Sequence, residues 1–158
     1  MRNLEKHLLA RPIARRLLGQ APTVLALAGV SVLGTHLLSI RQPGGGRTRV
    51  VAVTVLRHRG RRYVVAHRGV TPWVRSLRAA SEAELRLGRR TEPIRAIEVP
   101  EAERPPLLRA HLRQWRPDTS NRIEGLGAGA PDSELLRIAP AYPVFLIEAT
   151  GPIATSPR

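Results

Sequence analysis

The chain has 158 residues, 42% of them hydrophobic, which is enough for one domain with one core and too apolar for wholesale disorder. Its 26 basic and 12 acidic residues give a formal net charge of +14, and Lys6 is the only lysine, so nearly all of the positive charge is guanidinium, whose planar fork pairs with phosphate and carboxylate. Cysteine is absent, which excludes disulfides and thiolate metal sites.

Met1 to Gln20 is basic and helical in pattern. Leu4, Leu8, Leu9, Ile13 and Leu17 recur at helical spacing with Arg2, Lys6, Arg11, Arg15 and Arg16 between them, and Pro12 kinks or restarts the helix. It reads as a helix packed on the domain or as an amphipathic segment on an anionic membrane surface. Ala21 to Ile40 carries no charge and is long enough to cross a bilayer. Pro22, Gly29, Gly34 and His36 interrupt it, so the expectation is a buried helix followed by a first strand at Leu37 to Ile40, with membrane association as the alternative. Arginines crowd the front of this run and argue against a signal peptide. The expected division is an N-terminal segment at 1–34, a main domain at 35–150 and a flexible tail at 151–158.

Gln42-Pro43-Gly44-Gly45-Gly46 is a turn, flanked by Arg41, Arg47 and Arg49. Backbone N–H groups in such a turn can approach a phosphate that adjacent guanidiniums neutralise. The bland reading is a hairpin loop that carries arginines. Two β-branched runs, Val50 to Leu56 and Tyr63 to Ala66, then flank a polar turn at Arg57 to Arg62 and predict a hairpin. His67 to Thr71 leads into a helix at Pro72 to Ala80, with Thr71 as N-cap and Pro72 in the first turn. Trp73 is expected in the core, where it can also wall a pocket.

Glu84 to Leu87 and Ile94 to Val99 alternate as half-buried strands around Gly88-Arg89-Arg90, and Pro93 reads as an edge position or a strand start. Pro105 to Trp115 is a helix with Leu107, Leu108, His111, Leu112 and Trp115 on one face, and His111 reads as a partly buried face residue rather than a ligand. Pro117 to Pro131 is polar and then Gly-rich, either a mobile lid or a plain connector. Asp132 is expected to cap a short helix through Ile138, and Tyr142 to Glu148 to form the last strand. The order strand, strand, helix, strand, strand around a small core predicts a closed or half-closed barrel.

The stretch YVVAHRGVTPWVRSLRA, followed by ELRLGRRTEPIRAIEV, resembles the deazaflavin (F420)-dependent nitroreductase family over roughly Leu37 to Ala149. Its most specific element is Trp73 with Leu77-Arg78-Ala79. The resemblance implies a mixed α+β fold: a split β-barrel of about six mostly antiparallel strands with flanking helices, like the FMN-binding split barrels. The family's loop reads Gly-Arg-Lys-Ser-Gly-x-x-Arg-Thr-x-Pro and binds the phosphate and acidic tail of the deazaflavin coenzyme. Arg41 falls on its arginine, Gly44 on its glycine, and Arg47-Thr48 on Arg-Thr. Gln42 replaces the lysine, Pro43 the serine and Val50 the proline, which removes one charge and one hydroxyl donor.

The coenzyme-binding residues implied are Arg41, Gly44, Gly45, Arg47, Thr48 and Val50, with His67, Arg68, Trp73 and Ser76 toward the ring. Ser76 stands where the family often has asparagine.

The function implied is hydride transfer from reduced coenzyme F420 to a conjugated acceptor such as a nitroaromatic or a quinone, with FMN as the alternative cofactor. The protein would be cytoplasmic, a monomer or homodimer, with membrane contact confined to the N-terminal segment. No catalytic residue is assigned, because the cofactor carries this chemistry. The altered loop motivates a second reading, a non-catalytic binder of a cofactor or apolar ligand. Nucleic-acid binding, which the charge invites, lacks stacking platforms at 3% aromatic content.

Overall fold

A computed structural model of the chain describes residues 35–114 and 123–156. The expectations for residues 1–34, for Trp115 and for the first part of the Pro117 to Pro131 segment lie outside the described residues. The elements are β1 (Thr35–Arg41), β2 (Thr48–His58), β3 (Arg61–Val65), α1 (Pro72–Ala80), β4 (Glu82–Leu87), β5 (Arg90–Glu98), α2 (Pro105–Gln114), α3 (Asp132–Ile138), β6 (Val144–Ala149) and β7 (Ala154–Thr155). The hydrogen-bonded order is β4-β1-β2-β3-β6-β5, and a β4–β5 pairing closes the ring. Every pairing is antiparallel. The expected α+β split barrel is therefore the observed fold.

Alternation along the strands builds two cores. One set of residues points into the barrel: Leu38, Ile40, Val53, Val55, Val64, Leu85, Ile94, Ala96, Phe145 and Ile147. Val74 and Leu77, three apart on α1, close this core at one end. The opposite parity on β2, β3 and β6 supplies Leu56, Tyr63, Val65 and Val144, which pack under Leu107, Leu108 and Leu112 of α2 and Leu135 and Ile138 of α3. Each fully buried aliphatic side chain contributes about 1.5–3 kcal/mol. Arg62 and Glu92 share the inward parity of Val64 and Ile94. They meet as a bidentate pair at 2.6 and 2.9 Å, at the barrel end near the β2–β3 turn.

Several local expectations are corrected. Thr71 sits at the N-cap of α1, but its hydroxyl makes no cap bond; its carbonyl takes the N–H groups of Val74 and Arg75 instead. Asp132 is the first residue of α3 rather than its cap, a place taken by Pro131, and its carboxylate accepts from Arg109. Pro93 lies inside β5, opposite Glu84. The β5–β6 ladder stops one residue later, at Ile94 and Ala149, so the missing N–H falls at a ladder end, while the Pro93 carbonyl accepts from the Thr150 N–H.

Residues 151–156 are not loose. Ala154 and Thr155 pair with Thr91 and Arg90, and the Arg89 guanidinium donates twice to the Ser156 carbonyl at 3.0 and 2.6 Å. Residues 123–131 are packed against the second core. Ile123 is buried, Leu126, Ala128 and Ala130 lie on the second core, and Arg109 donates to the Ala128 carbonyl at 2.7 Å. Among the described residues, no helix is long and apolar enough to cross a membrane.

Candidate functional site

The glycine turn joins β1 to β2 just beyond the Arg41–Thr48 pair that ends their ladder. Gly44 and Gly45 have φ of +83° and +76°, the left-handed region that glycine enters without steric cost. A Cβ placed on either would meet nothing within 4 Å, and both residues are exposed to solvent. Gln42 lies along the turn: a Cβ on Gly46 would meet its Cβ at 3.4 Å. Arg41, Arg47 and Thr48 are exposed. The two guanidiniums make no ion pair or hydrogen bond among the described residues.

Next along β2, Arg49 has the inward parity of Val51 and Val53 and so points at the barrel mouth under α1. Its Nε donates to Ser76 Oγ at 3.2 Å, and Ser76 Oγ donates to the Pro72 carbonyl at 3.0 Å. Arg75 donates to the Val70 carbonyl at 3.3 Å. Thr71 Oγ1, in the same α1 entry, is buried with no partner among the described residues. Val50 has the opposite parity and is 56% exposed on the outer face. Trp73 is half-buried against the barrel core, its ring 6.1 Å from Phe145 and tilted by 54°.

The structure thus brings the glycine turn, Arg49, Ser76 and the start of α1 together at one barrel mouth. It places His67 differently. The His67 ring stacks on His111 of α2, with centroids 5.8 Å apart and planes 20° from parallel. His111 is 1% exposed, more deeply buried than its position on a helix face suggested. Burial first, and then repulsion from His67, lowers its pKa to about 4. His67 keeps an exposed edge; partial burial and then the charge of Arg68 lower its pKa, against a hydrogen bond to the backbone of Val65. Arg68 is exposed and has no side-chain partner among the described residues. Sequence reasoning grouped Arg49 with the charges flanking the turn; its strand parity was the signal for its separate place beneath α1.

Two concavities lie away from the glycine turn. These clefts, of about 700 and 580 Å³, flank the β2–β3 turn at the other end of the barrel. A phosphate held by backbone N–H groups and guanidiniums needs no deep pocket.

Residues 15–129 match the family described as F420H(2)-dependent quinone reductase. No curated protein matches the sequence at a significant level. Among solved structures, the chain is similar to an F420-H2 dependent reductase (FDR-A), with a TM-score of 0.52, 18% identity, and coverage of 73% of this chain and 94% of that one. A candidate pyridoxamine 5′-phosphate oxidase from Listeria innocua gives a TM-score of 0.52 at 13% identity, over 77% of this chain and 87% of that one. A structure described as a domain-swapped dimer gives 0.52 at 16% identity, over 85% of this chain and 98% of that one. At these identities the structural likenesses speak for the fold.

Proposed function

The chain belongs to the F420H(2)-dependent quinone reductase family, and on that premise we propose that it reduces a conjugated acceptor, a quinone or a nitroaromatic, at the barrel mouth beside the glycine turn. The family makes it an oxidoreductase and coenzyme F420 its cofactor. When bound, the reduced deazaflavin supplies the hydride.

The observation that carries the placement is the pairing of two partnerless guanidiniums, Arg41 and Arg47, across a turn whose two left-handed glycines are exposed to solvent. That arrangement fits a phosphate and an acidic tail. Arg41, Arg47, Thr48 and the peptides of Gly44 and Gly45 would hold the anionic part. Ser76 and Trp73 stand on the α1 side of the mouth, where a flat ring can lie against them, and Val50 borders the site from the outer face. Arg49 is already engaged by Ser76 and acts as a brace between β2 and α1. His67 and Arg68 border the ring side only if the ring extends toward α2.

The test is a titration of the full chain with coenzyme F420, followed by absorbance and calorimetry. Each charge-assisted contact contributes about 1.5–3 kcal/mol, so Arg41→Ala and Arg47→Ala should each weaken binding roughly ten- to a hundredfold. Turnover at saturating cofactor should change less, because the tail is remote from the reacting ring. Arg95→Ala, on an exposed side chain 3.9 Å from Glu82, is the control. Equal affinity in all three variants would remove the anion anchor from the glycine turn.

A further inference from the structure

The cleft of about 700 Å³ at the opposite barrel end is lined by Arg57, His58 and Arg59 from the β2–β3 turn and by Arg109, Ala110 and Arg113 from α2. The α2 residues recur at three- and four-residue spacing, so one helical stripe faces the turn across the cleft. The arginines there are not consumed by the fold. Arg57, Arg59 and Arg113 are exposed and make no ion pair or hydrogen bond among the described residues. Arg109 alone is spoken for: it donates to the Ala128 carbonyl and to Asp132, which fixes the cleft's inner wall. Some arginines outside the cleft find carboxylates, as Arg62 does with Glu92, Arg78 with Glu98 and Arg137 with Glu134, while Arg41 and Arg47 at the glycine turn, and Arg61, Arg68 and Arg90, are left without a side-chain partner among the described residues. In the cleft three converge from two elements on one concavity, where low-dielectric walls concentrate their field.

The backbone points the same way. Arg59 has φ of +48°, a conformation that non-glycine residues adopt infrequently because of its steric strain. A tight hairpin tip favours Asn, Asp or Gly at such a position. An arginine kept there holds a guanidinium at the cleft rim. Leu56, Pro106 and Ala110 give the cleft an apolar part.

We propose that this cleft is a second anion site, separate from the glycine turn, that binds a phosphate-bearing ligand through the guanidiniums of Arg57, Arg59 and Arg113. The ligand class is a phosphomonoester or diphosphate whose remaining part rests on Leu56, Pro106 and Ala110. Three guanidiniums supply more charge and more forked donors than one carboxylate takes up, and a doubly charged phosphate group uses them.

The experiment titrates the full chain at low salt with pyrophosphate by calorimetry, and in a second arm with phosphatidylcholine vesicles with or without phosphatidic acid, whose headgroup is a phosphomonoester. Arg59→Gln and Arg113→Gln, both exposed and outside either core, should each weaken pyrophosphate binding at least tenfold. Arg41→Ala and Arg47→Ala should leave a pyrophosphate-binding event that Arg59→Gln and Arg113→Gln weaken. Vesicle binding that needs phosphatidic acid and is lost in the Arg59 and Arg113 variants, without pyrophosphate binding, also supports the site and assigns its ligand to a membrane. Binding to neither probe overturns the proposal. So does binding unchanged by the Arg59 and Arg113 substitutions, or abolished only by the glycine-turn variants. These readouts do not involve F420 and stand apart from the reductase assignment.

Discussion

Arg104 is 4% exposed, and its Nη2 reaches Glu98 Oε1 at 3.1 Å while its Nε and Nη1 donate to the carbonyls of Val99 and Ala139. Glu98 also accepts two bonds from Arg78 of α1, at 2.7 and 2.8 Å. One carboxylate at the end of β5 therefore ties α1 to the turn that precedes α2. The hydrogen bonds of Arg78 are the main cause of its lowered pKa, reinforced by the charges of Arg78 and Arg104 against partial desolvation.

Removing that carboxylate leaves a buried guanidinium short of its counter-charge. Glu98→Gln should destabilise the fold by about 2–3 kcal/mol, below the full figure for a buried pair because the Arg78 side is solvated. The sign with pH follows from the depressed pKa. The Glu98 contribution is complete above the ordinary carboxylate pKa of 4.5 and is lost as pH falls through the lower folded value. Urea midpoints between pH 7 and 3 should therefore fall more steeply for the wild type than for Glu98→Gln. Parallel curves would detach acid lability from this residue.

His111 contributes in a higher window. Its folded pKa of about 4 lies below the ordinary 6.5, so the unfolded chain takes up the proton first. Stability from keeping this ring neutral is full above pH 6.5 and declines toward pH 4, by roughly 3 kcal/mol in all. His111→Phe keeps a ring against His67 without a titrating group. It should flatten stability between pH 6.5 and 4.5 while leaving the slope below pH 4.5 to Glu98. Denaturant titrations at four or five pH values would show whether the slope persists.

Trp73 combines packing with a place at the barrel mouth. Its half-buried ring on Phe145 makes Trp73→Ala a loss of about 2–3 kcal/mol, below the range for a fully buried tryptophan. If the deazaflavin ring lies against α1, emission from Trp73 in a Trp115→Phe background should be quenched at saturating coenzyme. An unchanged spectrum would move the ring away from this helix.

Much of this architecture follows from period and punctuation. The β-branched runs around Arg57 to Arg62, the alternation of Glu84 to Leu87 and Ile94 to Val99, and the apolar stripe of Leu107, Leu108 and Leu112 each declare their element. What they do not declare depends on closure. Arg62 and Glu92 lie thirty positions apart and meet only because the barrel brings β3 and β5 round β6. Arg104 reads as a surface charge until three acceptors surround it. His67 sits in the loop that the resemblance turns toward the cofactor, yet its ring finds His111, a partner on a helix that no local pattern connects to it. The Ala154–Thr155 strand is too short to register in the sequence; it lies along β5, with Arg89 donating to the adjacent Ser156 carbonyl. The glycine turn was legible as a turn from composition and as a candidate anion site from its flanking arginines; which anion it would take came only through the resemblance.

The three glycines of that turn separate shape from charge. Gly44 and Gly45 occupy left-handed φ with open space around them, so an added methyl meets no atoms and acts only through the backbone. Gly44→Ala and Gly45→Ala should each cost about 1 kcal/mol, as substitutions at incompatible φ do. Because a shift of the turn re-aims the peptide N–H groups, each should also weaken coenzyme F420 binding, with stability loss and affinity loss appearing together. Gly46 is different: its added Cβ meets Gln42 at ordinary contact distances of 3.4 and 3.5 Å. Gly46→Ala should leave stability within about 0.5 kcal/mol of wild type, the range of unremarkable surface changes, and leave affinity nearly unchanged. Arg41→Ala should show the converse of Gly44→Ala, with affinity lost and the melting temperature kept. Thermal melts and calorimetric titration of the four variants would distinguish these patterns. If Gly44→Ala and Gly45→Ala bind the coenzyme as tightly as Gly46→Ala while Arg41→Ala does not, the guanidiniums hold the anion without the backbone of the turn.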